Sequence, residues 1–190
     1  MAVVRTIIVG LDAGHGGKDP GAIGGGMEEK KINMNVAKKV EQILLAKGYK
    51  VVMTRTRDTY LGLSQRVKMW FIGRVDIAIS IHHNAGKGDG FDIIYQMNPK
   101  YTAQSKALAE ILASEFTKLN NKHKVFSRES VKYPGKDHHT ILAGPFPTII
   151  SELAFIDHGE DVKVVDTLRE QHLEAEAIVR TVDRYFGRTA

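Results

Sequence analysis

The sequence contains no cysteine. This absence excludes disulfide bonds, thiolate nucleophiles and zinc sites built from cysteine, although it says little about the compartment in which the protein works. A metal site in this chain would therefore have to use histidine, aspartate or glutamate side chains.

Long apolar segments are missing as well. No apolar run approaches the length that is needed to span a bilayer, so membrane insertion is not expected. The N-terminus does not predict a signal peptide, because Arg5 interrupts the apolar residues and residues 7–11 lead directly into a glycine-rich loop. Repeats, low-complexity tracts and linkers are also lacking. We expect residues 1–190 to form one domain with a substantial core and no wall-binding module.

The charge of the chain is modestly positive, with a formal net charge of +5 at pH 7. A positive excess favours anionic partners such as nucleic acid or an anionic cell wall. The basic residues are dispersed, however, with only short pairs such as Lys30-Lys31 and Lys38-Lys39, and no aromatic-basic ribbon follows them. A solvated basic face explains this pattern, and nucleic-acid binding is not expected.

A glycine-rich loop follows the first predicted strand. The β-branched run Ile7-Ile8-Val9 is too short for a helix and predicts a buried strand, which leads to Asp12, His15 and seven glycines within residues 14–26. Such a loop can bring its backbone close to a ligand, and Glu28 and Glu29 follow it at the start of the next helix. Because sites in open α/β sheets form outside the carboxyl ends of strands, an imidazole and a carboxylate at this place would suit a metal.

Two other interpretations of this loop are open. A strand, a glycine loop and a helix also outline a dinucleotide-binding unit, but Asp19 stands where the third glycine of G-x-G-x-x-G should be, and no Gly-Lys-Ser/Thr phosphate loop follows. The other alternative is an ordinary surface loop with an incidental histidine.

Helical and strand-like patterns alternate along the rest of the chain. Apolar periodicity predicts helices over about 29–47, around 63–73, from about 102 to 119 and around 173–186. Short apolar runs predict strands at 49–53, 77–81, 91–95, 141–142 and 148–153, while the polar segment 120–137 is a candidate lip over the site. This alternation predicts an α/β fold with a mixed, mostly parallel sheet and helices on both faces.

Polar side chains stand at the ends of three predicted strands: His15, either His82 or His83, and Glu152. Strand alternation puts the adjacent histidines on opposite faces but does not choose between them. A carboxylate among apolar residues, as at Glu152, is costly unless it is paired, hydrogen-bonded or near a metal. Two histidines and one carboxylate, with water in the fourth position, are a common form of catalytic zinc site, and a further glutamate then suits a general base and acid. Singly, each residue also has a plainer role, as a hydrogen-bonded histidine or an edge-strand glutamate.

Four motifs carry a resemblance to a known family. They are G-H-G-G-K-D-P-G-A at 14–22, Glu29 with Ile32-Asn33, S-I-H-H-N-A at 80–85 and S-E-L-A-F-I at 151–156. In order and spacing they resemble the zinc-dependent N-acetylmuramoyl-L-alanine amidases, which include bacterial cell-separation and sporulation amidases and many phage endolysins. The resemblance covers nearly the whole chain.

The resemblance implies a role for each site residue. His15, Glu29 and His82 would bind Zn²⁺, and Glu152 would be the catalytic acid and base, in a sheet of about six strands flanked by five or six helices. The chain departs from the family pattern at Asp12-Ala13, where Asp-Pro is usual, at His83, where a small residue is commoner, and at Ser151, where valine is usual. None of these departures removes a ligand.

The implied activity is hydrolysis of the amide bond between N-acetylmuramic acid and the L-alanine of the stem peptide, in an open groove that accepts peptidoglycan. A lysin made in the cytoplasm and released by a phage holin or by mother-cell lysis is favoured, with a domain of a longer exported protein as the other possibility. One alternative function is that of a zinc exopeptidase, which would need an arginine, such as Arg55 or Arg57, to bind the terminal carboxylate of its substrate. The other alternative is a non-catalytic wall-binding module, which would not need a carboxylate at Glu152.

Overall fold

Six strands form the central sheet of the computed structural model, which describes residues 5–86, 88–119, 122–129, 136–137 and 139–188. The strands are β1 (Ile8–Ala13), β4 (Lys50–Met53), β5 (Ile77–Asn84), β6 (Phe91–Tyr95), β7 (His123–Phe126) and β8 (Thr148–Phe155). They are arranged in the order β4-β1-β5-β8-β6-β7. Among the described residues of this sheet, the pairing of β6 with β8 is antiparallel and the other pairings are parallel. The predicted class, a mixed and mostly parallel α/β sheet, is confirmed.

Helices cover both faces of this sheet. The helices are α1 (Glu29–Ala46), α2 (Leu63–Ile72), α3 (Thr102–Phe116), α4 (Gly159–Val162) and α5 (Leu168–Tyr185), with a 3-10 helix at Thr140–Leu142. Helices α1, α3 and α5 pack into the larger core with Ile149 of β8, whereas Trp70 of α2 and the 3-10 helix pack into a second cluster with Ile150. Adjacent residues of β8 therefore point into different cores, as strand alternation requires.

Two predictions for the second half of the chain were wrong. The pair Ile141-Leu142 lies in the 3-10 helix rather than in a strand, and the Gln96 side-chain amide donates to the carbonyls of Leu142 and Gly144. Two apolar residues are too few to show a period, so their burial alone did not define their conformation. Strand β7 lies within the segment 120–137, which was predicted to be irregular. The prediction missed this strand because its first residues are exposed and show no strand pattern. Of that predicted lip, residues 120, 121 and 130–135 are outside the described residues.

The carboxyl ends of three parallel strands meet at one edge of the sheet. Strands β1, β5 and β8 are neighbours, and β1 continues beyond its predicted apolar run to Ala13. Between β1 and α1 the chain forms the glycine loop and a small antiparallel ribbon of β2 (Ile23–Gly24) and β3 (Met27–Glu28). This loop returns the first residue of α1 to the same edge. In the part of the chain that the structure describes, no helix is both long and apolar enough to cross a membrane.

Candidate metal centre

His15 follows β1 in a constrained backbone conformation. Its φ of 62° lies in the left-handed region, which costs a non-glycine residue about 1–3 kcal/mol. The Arg66 Nη2 donates to the carbonyl oxygen of His15 at 2.8 Å and helps to hold this conformation. The His15 Nδ1 donates to Asp19 Oδ2 at 2.9 Å. Because Nδ1 is engaged in this way, Nε2 is the nitrogen that faces Glu29, at 3.0 Å from Oε2.

Glu29 opens α1 with its carboxylate buried at 3% exposure. The backbone N–H of Ala22 donates to Oε2 at 2.8 Å. The Asn33 side-chain amide and the backbone N–H of His83 donate to Oε1 at 3.0 and 3.1 Å. Three donors therefore orient this carboxylate toward the two imidazoles.

His82 lies on β5 and completes the group. Its Nδ1 is 2.9 Å from Glu29 Oε1, and its ring is nearly perpendicular to that of His15, with 4.8 Å between the ring centroids. A Cβ on Gly14 would come within 2.2 Å of His82 Cε1, so only glycine allows the loop to approach this ring. The structure thus brings together the three predicted ligands, whose donor atoms all lie within 4.8 Å of one another.

The electrostatics of the group are those of a carboxylate held between two imidazoles. Burial disfavours every charge here, but hydrogen bonds from His15 and His82 hold the pKa of Glu29 well below its usual range. Burial likewise opposes protonation of His82, yet its hydrogen bond to Glu29 and the charge of Glu152 raise its pKa to about 9. The pKa of His15 is raised by Glu29 in the same way, against the effect of burial. Positive charge is thus favoured at this place, where a divalent cation could replace the imidazole protons.

Glu152 lies on β8 directly beside His82 in the register of the two strands. Its side chain is half-buried, and burial raises the pKa of its carboxyl while the charge of His82 opposes the rise. Among the described residues, none donates a hydrogen bond to this carboxylate. Glu152 therefore lies beside the candidate metal site, and no described hydrogen bond prevents its carboxylate from taking up or releasing a proton.

Several supporting residues were missed in the sequence. Asp19 entered as a member of the first motif and as the residue that breaks a glycine pattern, but its contact with His15 was not predicted. Asn33 was part of a motif, and its position on the buried face of α1 was the available signal. Arg55 is buried at 3% exposure and donates to the carbonyls of Ala13 and Gly14 at 2.7 and 2.9 Å. These contacts brace the loop that carries His15.

A second group of possible ligands was not predicted. Asp89, His158 and Asp161 also place one donor atom each within 4.8 Å of the others. The Lys122 ammonium pairs with Asp89, and Asp161 Oδ2 accepts the backbone N–H groups of Gly90 and Phe155 at 2.8 and 3.0 Å. Because a lysine already supplies the cation, this second group is a weaker metal candidate than the group at His15.

Comparison with known proteins identifies the family. A family model described as N-acetylmuramoyl-L-alanine amidase matches residues 9–184. The chain belongs to this amidase family. It is similar to "Uncharacterized protein YqiI" of Bacillus subtilis (strain 168), with 30% identity over 178 residues that cover 93% of this chain and 83% of that protein.

Named amidases are related to the chain at comparable levels. It is 31% identical over 179 residues to "N-acetylmuramoyl-L-alanine amidase LytC" of the same Bacillus subtilis strain, covering 88% of this chain but only 33% of LytC. The solved catalytic domain of CwlV, an N-acetylmuramoyl-L-alanine amidase from Bacillus (Paenibacillus) polymyxa var. colistinus, superposes with a TM-score of 0.83 and 27% identity. That superposition covers 97% of this chain and 100% of the CwlV domain. The predicted family and the predicted activity, that of a peptidoglycan amidase, are thereby confirmed.

Proposed function

We propose that this amidase hydrolyses the bond between N-acetylmuramic acid and L-alanine with one zinc ion held by His15, Glu29 and His82, and with Glu152 as general base and acid. The observation that carries the proposal is the convergence of the three donor side chains beside a carboxylate that no described residue hydrogen-bonds. Two imidazoles and one carboxylate fit zinc and leave a position for water. When bound, zinc polarises a carbonyl group and lowers the pKa of water to near neutrality.

The chain's own residues then perform the proton transfers. The Glu152 carboxylate takes a proton from the attacking water, whose oxygen forms a bond to the lactyl carbonyl carbon of muramic acid. The carbon–nitrogen bond breaks, and Glu152 returns the proton to the nitrogen of L-alanine. The products are a lactyl carboxylate on the glycan strand and a free amino terminus on the stem peptide. Burial raises the pKa of the Glu152 carboxyl above its ordinary value, which favours the protonated form that the second proton transfer needs.

One observation weighs against the zinc exopeptidase. The Arg55 guanidinium is buried and donates to backbone carbonyls, including that of Lys30 at 2.9 Å. It is therefore not available to bind the terminal carboxylate of a substrate, which leaves the exposed Arg57 as the other candidate arginine. The family match supports action on the cell wall, after release from the cell or as part of an exported protein.

Product analysis on purified cell walls tests the proposed bond. We expect digestion to release free amino groups on L-alanine without any increase in reducing sugar ends, because the glycan strand stays intact. New reducing ends would indicate a glycosidase, and new termini at other amino acids would indicate a peptidase. Binding to walls without any new terminus would indicate the non-catalytic module. Each of these three results would contradict the proposal.

A further inference from the structure

A buried chain of polar residues lies behind Glu29, on the side away from His15. Asn33 of α1, His83 of β5 and Glu174 of α5 are exposed by 0, 1 and 1%, respectively. The Asn33 Nδ2 donates to Glu29 Oε1 at 3.0 Å, and the other end of the same amide lies 2.7 Å from His83 Nδ1. The His83 Nε2 lies 3.3 Å from Glu174 Oε2. Three elements of the fold are thus connected to one proposed metal ligand.

The partners of Asn33 fix the direction of these hydrogen bonds. Its Nδ2 faces two acceptors, Glu29 Oε1 and the carbonyl oxygen of Gly14, which is 3.3 Å away. The amide nitrogen must therefore be on this side and the amide oxygen on the side of His83. An amide oxygen can only accept, so His83 Nδ1 carries a hydrogen and donates it to Asn33.

Glu174 is suited to hold His83 in this form. Its Oε1 is buried without a hydrogen-bond partner among the described residues, a situation that costs less for a neutral carboxyl group than for a carboxylate. Burial also raises the pKa of Glu174. Burial favours the neutral form of Glu174, and in that form its O–H donates to His83 Nε2, which leaves the other imidazole hydrogen on Nδ1, toward Asn33.

We infer that His83 and Glu174 are positioning residues that hold Asn33, and through it the Glu29 carboxylate, in the orientation for metal binding, a role that rests on the proposed function of Glu29 as a ligand. Asn33 supplies one of the three hydrogen bonds that orient Glu29. Without its contact to His83, the amide is free to turn away. Loss of such an outer partner typically weakens metal binding by about 10- to 100-fold.

Two substitutions of His83 separate this role from general stability. The amide nitrogen of asparagine occupies the position of His83 Nδ1, so His83→Asn keeps the donor to Asn33 and loses the contact to Glu174. The amide nitrogen of glutamine occupies the position of Nε2, so His83→Gln keeps the contact to Glu174 and loses the donor to Asn33. Each variant loses one buried hydrogen bond, which makes the two a matched pair.

The zinc dissociation constant of the whole chain is measured by competition with a chelator. The melting temperature of the metal-free protein is measured for the same variants. We expect His83→Gln to weaken zinc binding by about 10- to 100-fold, and His83→Asn to remain near wild type, with similar melting temperatures for both. Wild-type affinity in both variants would overturn the inference. So would equal losses of affinity that follow equal losses of melting temperature. A wild-type chain that binds no zinc would instead overturn the proposed metal centre, and with it this role.

Substitution of Glu174 tests the far end of the chain independently. Glutamine can still donate to His83 Nε2, whereas leucine cannot. We expect Glu174→Gln to keep the zinc affinity and Glu174→Leu to weaken it, although both remove the same ionisable group. Equal affinity in the two variants would show that Glu174 has no positioning role.

Discussion

Glu29→Ala is expected to abolish zinc retention and wall hydrolysis together. Glu29 is the only carboxylate in the proposed ligand set, and it lies between His15 and His82 at 3.0 and 2.9 Å. Without it, two neutral imidazoles remain, and they cannot offset the charge of a divalent cation in a buried place. Metal analysis after dialysis should find about one zinc per chain in the wild type and essentially none in the variant.

The adjacent glutamate provides a matched control for this prediction. Glu28 pairs with Lys31 at 2.6 Å near the surface and does not face the histidines. Exposed pairs of this kind contribute little to stability, so Glu28→Ala should keep its zinc and its activity. If Glu29→Ala retained a full zinc content, or if Glu28→Ala lost it, the proposed ligand set would be wrong.

Glu152→Gln is expected to slow wall hydrolysis by about a hundredfold to ten-thousandfold, the usual contribution of general acid–base catalysis. Glutamine preserves the shape and polarity of the side chain but cannot take a proton from water. Zinc content and melting temperature should stay close to wild type, because no described residue hydrogen-bonds the Glu152 carboxylate. The rate should be measured with saturating zinc, so that metal loss does not contribute to the effect.

Asp92 offers the control for Glu152. It lies on β6 directly opposite Glu152 in the antiparallel register, and burial raises the pKa of its carboxyl as well. We expect Asp92→Asn to change the rate only a few-fold, because Asp92 is one strand further from His82. A large loss in Asp92→Asn with little loss in Glu152→Gln would transfer the role of the base to Asp92. Loss of zinc from Glu152→Gln would make Glu152 a ligand instead.

The predicted ligands could be found in the sequence because each stands at the end of an apolar run or at the start of a helix. His15 follows β1 and His82 lies near the end of β5, and these two buried strands are neighbours in the sheet. The choice between His82 and His83 came from the family resemblance. The structure gives it a physical basis, since His82 faces Glu29 and His83 faces Asn33 and Glu174. The ligand roles themselves stay predictions.

The supporting contacts could not be predicted in the same way. They join residues that are far apart in the chain, as with His83 and its partners 50 and 91 positions away. Hydrogen bonds over such separations leave no periodic pattern, because periodicity reports only which face of an element is buried. The same limit explains the 3-10 helix at Thr140–Leu142, whose position depends on the distant side chain of Gln96.

Anomalous diffraction at the zinc absorption edge, from crystals of the purified chain, tests the central claim most directly. The proposed metal centre predicts one strong peak within bonding distance of His15 Nε2, His82 Nδ1 and a carboxylate oxygen of Glu29. A peak at Asp89, His158 and Asp161 instead, or no peak at the predicted place in crystals grown with zinc, would contradict it.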